Sequence, residues 1–314
     1  MITQTKVNVG IVAGLLASAS LFSTSPAHAW SRGVSYPQTN CANAIALNAV
    51  VGCTAYGHGF ELSEFYDDGF GDEWAPIEND AGGWSAGTAI ANDIFGALWM
   101  VDSTGAAYYG SYTGSVNYHG GTATGGTPAV SWQPIEMTII SANPGTFTSI
   151  AAGDPYYSVN EVWATDSNGN VYMWTGRAGT DTGGTINNGW WWQVAAVPNG
   201  AAKVGVFAEL ENNSTCAIHT PWVIDRKNNI YKYEFVNSQA CVGGSWVQQP
   251  GAAIDITSND YVLGTDNQVF RWNPETSSWT FIGAPSGVVL THVGSALNAT
   301  NFLATDTTKN TWFD

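Results

Sequence analysis

Aromatic side chains outside any repeat, and one dense run of carboxylates, are the residues here whose types and spacing can do chemistry. Trp190 and Trp191 directly precede Trp192, Tyr156 and Tyr157 follow Asp154-Pro155, and Tyr112, Tyr118 and His119 fall in a glycine-rich stretch. A π face suits the axial C–H groups of a pyranose ring, with nearby Asn, Asp and Thr to fix its hydroxyls. These residues are therefore the candidate ligand contacts. Side chains alternate along an extended strand, which puts Trp190 and Trp192 on one side and Trp191 on the other. The stretch 61–80 holds eight acids. Within it Asp67, Asp68, Asp72 and Glu73 are spaced to gather oxygens around calcium, which takes about six to eight of them. A solvated acidic loop is the alternative.

Catalytic patterns are missing from the sequence. The histidines beyond residue 29 are His58, His119, His219 and His292, scattered and without a GxSxG nucleophile, an HExxH pair or a glycine-rich phosphate loop. The chain is expected not to be an enzyme. A carboxylate pair for glycoside hydrolysis or lyase chemistry stays open as an alternative, because such a pair is defined in three dimensions. Four cysteines, Cys41, Cys53, Cys216 and Cys241, form an even set without a CxxC pair. Two disulfides are expected, and proximity favours Cys41–Cys53 and Cys216–Cys241 among the possible pairings.

The elements that position these residues are read from a repeat. A short apolar strand, an Asp, a tight turn and a second aromatic strand recur, best seen in VWATDSNGNVYMW at 162–174. Further copies run through Asp102, Asp225, Asp266 and Asp306, the copy at Asp266 with a turn two residues shorter. A degraded first copy lies at 53–62, where Tyr56 replaces the Asp. Each copy reads as a β-hairpin whose Asp accepts turn N–H groups, with Gly105, Gly169 or Asn228 in the left-handed position. The Trp three residues before the Asp (Trp99, Trp163, Trp222) gives way to Leu263 and Leu303, which suggests packing and not ligand contact. One more strand precedes each hairpin, and a Trp (Trp74, Trp132, Trp192, Trp246, Trp279) opens a further one upstream. Four strands per unit make one propeller blade.

The fold expected is therefore all-β: a β-propeller of six four-stranded blades, closed when a segment starting at Trp30 supplies the outermost strand of the last blade. Gly/Thr/Asn-rich insertions at 110–131 and 175–190 are expected to extend as loops from the scaffold.

These units resemble tectonin repeats, the six-bladed propellers of the tachylectin and fish-egg lectin type. The opening tryptophans, the strand at 251–256 and the 162–174 hairpin carry the resemblance, which spans about 74–314. It implies non-catalytic binding of glycans on cell surfaces or in extracellular matrix. The alternative is a structural or adhesive surface protein whose propeller binds a protein partner.

Composition bounds the partner and the compartment. Nine Lys and Arg stand against 25 Asp and Glu, a net charge of −16, which argues against nucleic acid and anionic membranes and favours a neutral partner, a cationic one or one bridged by a metal. Lys6, the apolar run 7–22 and Ala27-His28-Ala29 read as a signal peptide over 1–29, with one domain over 30–314. The expected location is secreted, periplasmic or cell-surface, with no integral membrane segment.

Overall fold

The computed structural model describes residues 30–35, 45–46, 51–56, 59–67, 72–76, 78–79, 87–93, 97–112, 129–155, 158–178, 186, 188–210, 217, 219–235, 243–258, 260–294, 302–308 and 310–313. The leader at 1–29 lies outside them, as do Cys41, Cys216 and Cys241. All regular structure among these residues is β, as the β-branched and aromatic runs between turn residues require.

Six blades surround a common axis. The first is β2 (Ile45–Ala46), β3 (Val51–Tyr56), β4 (Gly59–Asp67) and β5 (Asp72–Pro76), hydrogen-bonded in that order. The second is β7 (Ala89–Asn92), β8 (Leu98–Val101), β9 (Ala107–Tyr112) and β10 (Ala129–Pro134). The third is β12 (Phe147–Ala152), β13 (Val162–Asp166), β14 (Val171–Trp174) and β15 (Trp191–Gln193). β16 (Ala201–Leu210), β17 (His219–Asp225) and β18 (Asn229–Glu234) pair with the first half of the long strand β19 (Ser245–Ile256) to make the fourth. The second half of β19 pairs with β20 (Tyr261–Gly264), which continues to β21 (Val269–Asn273) and β22 (Ser278–Gly283) as the fifth. The sixth runs β23 (Leu290–Gly294), β24 (Leu303–Asp306), β25 (Asn310–Phe313) and then β1 (Ser31–Ser35).

That last pairing closes the ring. β1 joins β25 antiparallel, with Arg32 opposite Trp312. The innermost strands meet in turn, β2 with β7, β7 with β12, β12 with β16, β16 with β19, β19 with β23, and β23 with β2. Closure therefore follows the expected route, a segment starting at Trp30 completing the last blade. Two short strands lie outside the four-strand plan: β6 (Glu78–Asn79) adds parallel to β10, and β11 (Ile139–Ile140) adds parallel to β15.

Aromatic residues between blades form the core. Trp99, Trp163 and Trp222 are fully buried, as the repeat position implies, and so is Trp174. Trp222 lies 4.5 Å from Phe207 in a stack and 5.0 Å from Trp272 edge-on, so the fourth and fifth blades pack through rings contributed by both. The opening tryptophans Trp132, Trp192, Trp246 and Trp279 are only half-buried, on the fourth strand of their blades, away from the axis.

Strand alternation also sorts the loops. Going outward through each blade, the connections from first to second and third to fourth strand leave one face, and the second-to-third connections leave the other. The strand ends bordering Asp67–Asp72, Tyr112, Asp154 and Trp190 belong to the first face. The repeated hairpin turns make up the second.

Candidate functional site

The hairpin turns show why one place differs from the rest. Val101 pairs with Ala107, Thr165 with Val171, Ile224 with Ile230, Leu263 with Val269, and Thr305 with Thr311. All five turns are thus of one length, and the residue after the first member of each pair is Asp102, Asp166, Asp225, Gly264 or Asp306. The reading that placed Asp266 at this position, in a shorter turn, is corrected: Gly264 holds it. Backbone bonds agree, since the N–H of the third residue on returns to the carbonyl of Asp102, Asp166, Asp225 and Gly264 alike. That third residue has positive φ in each case: Gly105 at 83°, Gly169 at 87°, Asn228 at 68° and Asn267 at 62°.

Where the Asp is present it organises the turn. Asp166 Oδ1 accepts the N–H groups of Asn168 and Asn170 at 2.9 and 2.8 Å. Its Oδ2 accepts Gly145 N–H at 2.7 Å, Asn170 Nδ2 at 2.9 Å and the Tyr172 hydroxyl at 2.8 Å. The aromatic donor six residues on recurs: Tyr108 hydroxyl on Asp102 at 3.1 Å, Trp312 Nε1 on Asp306 at 2.8 Å, and Tyr231 hydroxyl 3.5 Å from Asp225. Burial pulls the four carboxyl pKa values up, but these donors outweigh it and hold all four below the ordinary value. Burial, together with the neighbouring anion, raises Tyr108, Tyr172 and Tyr231. Sequence reading found the Asp but not its donor, although an aromatic six residues on was visible in every copy.

The fifth blade lacks both partners, with Gly264 in place of the Asp and Phe270 in place of the donor. A recess of about 270 Å³ opens there between the fourth and fifth blades, on the turn face. Ile230 and the Gly251–Ala252 bend of β19 form one side. Val262, Phe270 and Trp279 form the other, with Thr265 and Asp266 at the rim. A Cβ on Gly264 would fall 2.5 Å from Asp266 Oδ1 and 2.9 Å from the Phe270 ring, so those two side chains sit close over the position that the Asp holds elsewhere. The third and fourth blades fill their counterpart with side chains tied to an incoming loop, through Gly145 and Asn199. In the fifth, β19 runs straight through with no such loop, bending at Gly251 with φ 95°.

Trp279 is fixed: its Nε1 donates to the Pro250 carbonyl at 2.7 Å and its ring meets Trp272 edge-on at 5.1 Å. Phe281, 56% exposed, stands 5.5 Å from Phe270 and extends the aromatic wall to the surface. Asp266 is exposed, and among the described residues its Oδ1 accepts only the Gln268 N–H, at 3.2 Å. Its Oδ2, like the Thr265 hydroxyl, has no hydrogen-bond partner among the described residues. The recess thus offers an aromatic wall with one open carboxylate and one hydroxyl. Among the described residues its lining holds one acid, Asp266, and no Lys, Arg or His.

None of the sequence candidates is among the residues lining this recess, and the strand ends at Trp190, Tyr112, Asp67 and Asp72 belong to the opposite face. Trp190 is 46% exposed, its backbone paired with Thr175. Trp191 is fully buried, 4.8 Å from Phe147, and is corrected to a core residue: the side opposite Trp190 and Trp192, on which alternation placed it, is the blade interface. Tyr112 ends β9, Asp67 ends β4, and Asp72 and Glu73 open β5, with Asp67 opposite Asp72 in register. The Tyr112, Asp67, Asp72, Glu73 and Cys53 side chains, and Asp68, Tyr118, His119, Tyr156 and Tyr157 entirely, lie outside what is described. The same face holds a buried Glu161, which accepts His219 Nδ1 at 2.8 Å and the Asp154 N–H at 3.0 Å and so ties the third blade to the fourth.

No known family model and no curated protein matches this chain in sequence. Solved structures do. The β-propeller domain of Cps50 (Swd1) from Myceliophteria thermophila superposes with a TM-score of 0.51 at 9% identity, covering 91% of this chain and 99% of that one. They share a fold. YCF48 from Cyanidioschyzon merolae is similar over 91% and 98% of the two chains at 13% identity, with a TM-score of 0.49.

Proposed function

We propose that this chain is an exported, non-catalytic β-propeller that binds a partner protein, and that the recess between its fourth and fifth blades is the contact. The observation that carries this reading is the coincidence of two breaks in the repeat, Gly264 and Phe270, with the open aromatic recess they leave. A scaffold that carries a bonded Asp–aromatic pair at this turn elsewhere lacks the pair in one blade, and an open recess walled with rings lies beside it. Large rings set beside a polar rim are the composition of protein-binding hot spots.

The test is to pan a displayed peptide library against the protein and against Gly264→Asp/Phe270→Tyr, which restores the repeat and fills the recess. Peptides that bind the first and lose the second by at least about tenfold support the reading, a loss of about 1.4 kcal/mol. Peptides indifferent to the double substitution overturn it.

A second reading is glycan binding on the opposite face, of the kind the tectonin resemblance implies. Trp190 favours it, an exposed ring where Trp191 beside it is buried. A glycan array run with and without calcium, on the protein and on Trp190→Ala, decides it. Silence on all glycans from folded protein removes this reading, and binding that survives chelator removes a bridging role for the acidic residues 67–73.

A further inference from the structure

Resting on the protein-binding reading above, we infer that the recess receives a basic side chain of an extended partner segment, its aliphatic stem between Phe270 and Trp279 and its charge on Asp266. Size comes first. At about 270 Å³ the recess falls below the roughly 300–1,000 Å³ of small-molecule sites, so it suits one side chain and not a whole cofactor or oligosaccharide.

Charge comes second. Among the described residues Asp266 is the one ionisable residue of the lining, with no Lys or Arg there to neutralise it. The nearest basic residue in sequence, Arg271, is turned to the Tyr261 ring at 5.4 Å. Asp266 Oδ2 and the Thr265 hydroxyl, both at exposed residues of the lining, therefore have acceptor capacity to spare among the described residues.

The wall supplies the third argument. The π faces of Phe270 and Trp279, with Phe281 at the rim, attract a cation and accept the methylene stem of Lys or Arg, while the charged head stays in water beside the carboxylate. An acidic side chain is repelled by Asp266, and a purely aliphatic one gains nothing from it. The net charge of −16 raises the local concentration of basic segments around the whole surface and adds on-rate to the same preference.

The experiment titrates the full ¹⁵N-labelled chain with three capped tripeptides, Gly-X-Gly with X lysine, arginine or norleucine. It follows the Trp279 indole N–H and the Gly251 amide. The lysine and arginine peptides are expected to shift both signals saturably and at least about tenfold more tightly than norleucine, with the difference shrinking as salt rises. Asp266→Asn, an exposed and conservative change, is expected to bring the basic peptides down to the norleucine level while leaving norleucine unchanged. Norleucine binding as tightly as lysine overturns the inference, as does a preference that survives Asp266→Asn or the failure of all three peptides to move these signals. Library peptides that need the open recess but carry no basic residue would leave the protein-binding reading standing and this inference refuted.

Discussion

Five donors converge on the carboxylate of Asp166, and all five lose their acceptor if it becomes Ala. Hydrogen bonds to a charged group contribute about 1.5–3 kcal/mol apiece at best, and donors stranded in a buried site keep their desolvation cost. Water can reach some of these donors, so Asp166→Ala is expected to lower stability in urea by about 3 kcal/mol. Asp266, exposed and accepting one bond, is expected to change by less than about 0.5 kcal/mol when made Ala. The same residues set the acid limb of stability. Asp102, Asp166, Asp225 and Asp306 have folded pKa values below their unfolded values, so each contributes stability that is fully present above about pH 4. That contribution is lost as pH falls from there through the folded values. Melting temperature measured from pH 6 down to pH 2 should therefore fall steeply below about pH 4, and Asp166→Ala should flatten that fall. A variant as acid-sensitive as the parent would show that Asp166 is not among the groups responsible.

A hairpin of fixed length, Asp first and aromatic sixth after it, is the element this chain repeats, and its exception is testable as a unit. Gly264 has no positive φ, so an L-residue fits its backbone, and the clash of a Cβ with Asp266 is with an exposed side chain that can move. Gly264→Asp alone places a carboxylate beside a Phe270 ring that cannot donate to it. Phe270→Tyr alone adds a hydroxyl without an acceptor, and the pair supplies both. A double-mutant cycle in urea is expected to show favourable coupling of about 0.5–3 kcal/mol. Additive effects would mean that the donor at that position is incidental to the turn. Much of this architecture was legible in sequence, because Asp, Gly and Asn mark turns and alternating rings mark strands. The fifth turn was misread because Thr265-Asp266-Asn267 imitates Thr165-Asp166-Ser167, and only the cross-strand register separates them. β6 and β11 were not legible at all, since two-residue strands carry no period. The recess was equally hidden: residues of three separate stretches, 230, 251–252 and 262–279, line it, and no local motif joins them. Of the residues singled out as ligand contacts, Trp191 went wrong because an unrepeated aromatic was equated with an unburied one.

At the scale of the whole molecule one strand decides whether a row of blades is a ring. β25 has β24 on one side and β1 on the other, and residues from both ends of the domain pack at this seam, with the Trp30 ring edge-on to Phe302 at 5.2 Å. Each inner strand touches the next around the axis, so loss of one contact in the circle frees two blades from a neighbour at once. Deleting residues 30–35 would leave β25 as an open edge carrying Trp312 and Phe313, with its outward N–H and C=O groups unpaired. Such an edge is a template for another chain. The truncated protein is expected to retain β circular dichroism at low temperature, to melt below the parent, and to show a concentration-dependent shift to dimers or larger species by light scattering. Adding the 30–35 peptide in excess should reverse part of both effects, because it binds only the folded state and stabilises by mass action. Peptide rescue separates loss of a strand from loss of a tail. If deletion leaves melting and mass unchanged, the ring is held by inter-blade packing alone and the β1–β25 seam adds no measurable stability.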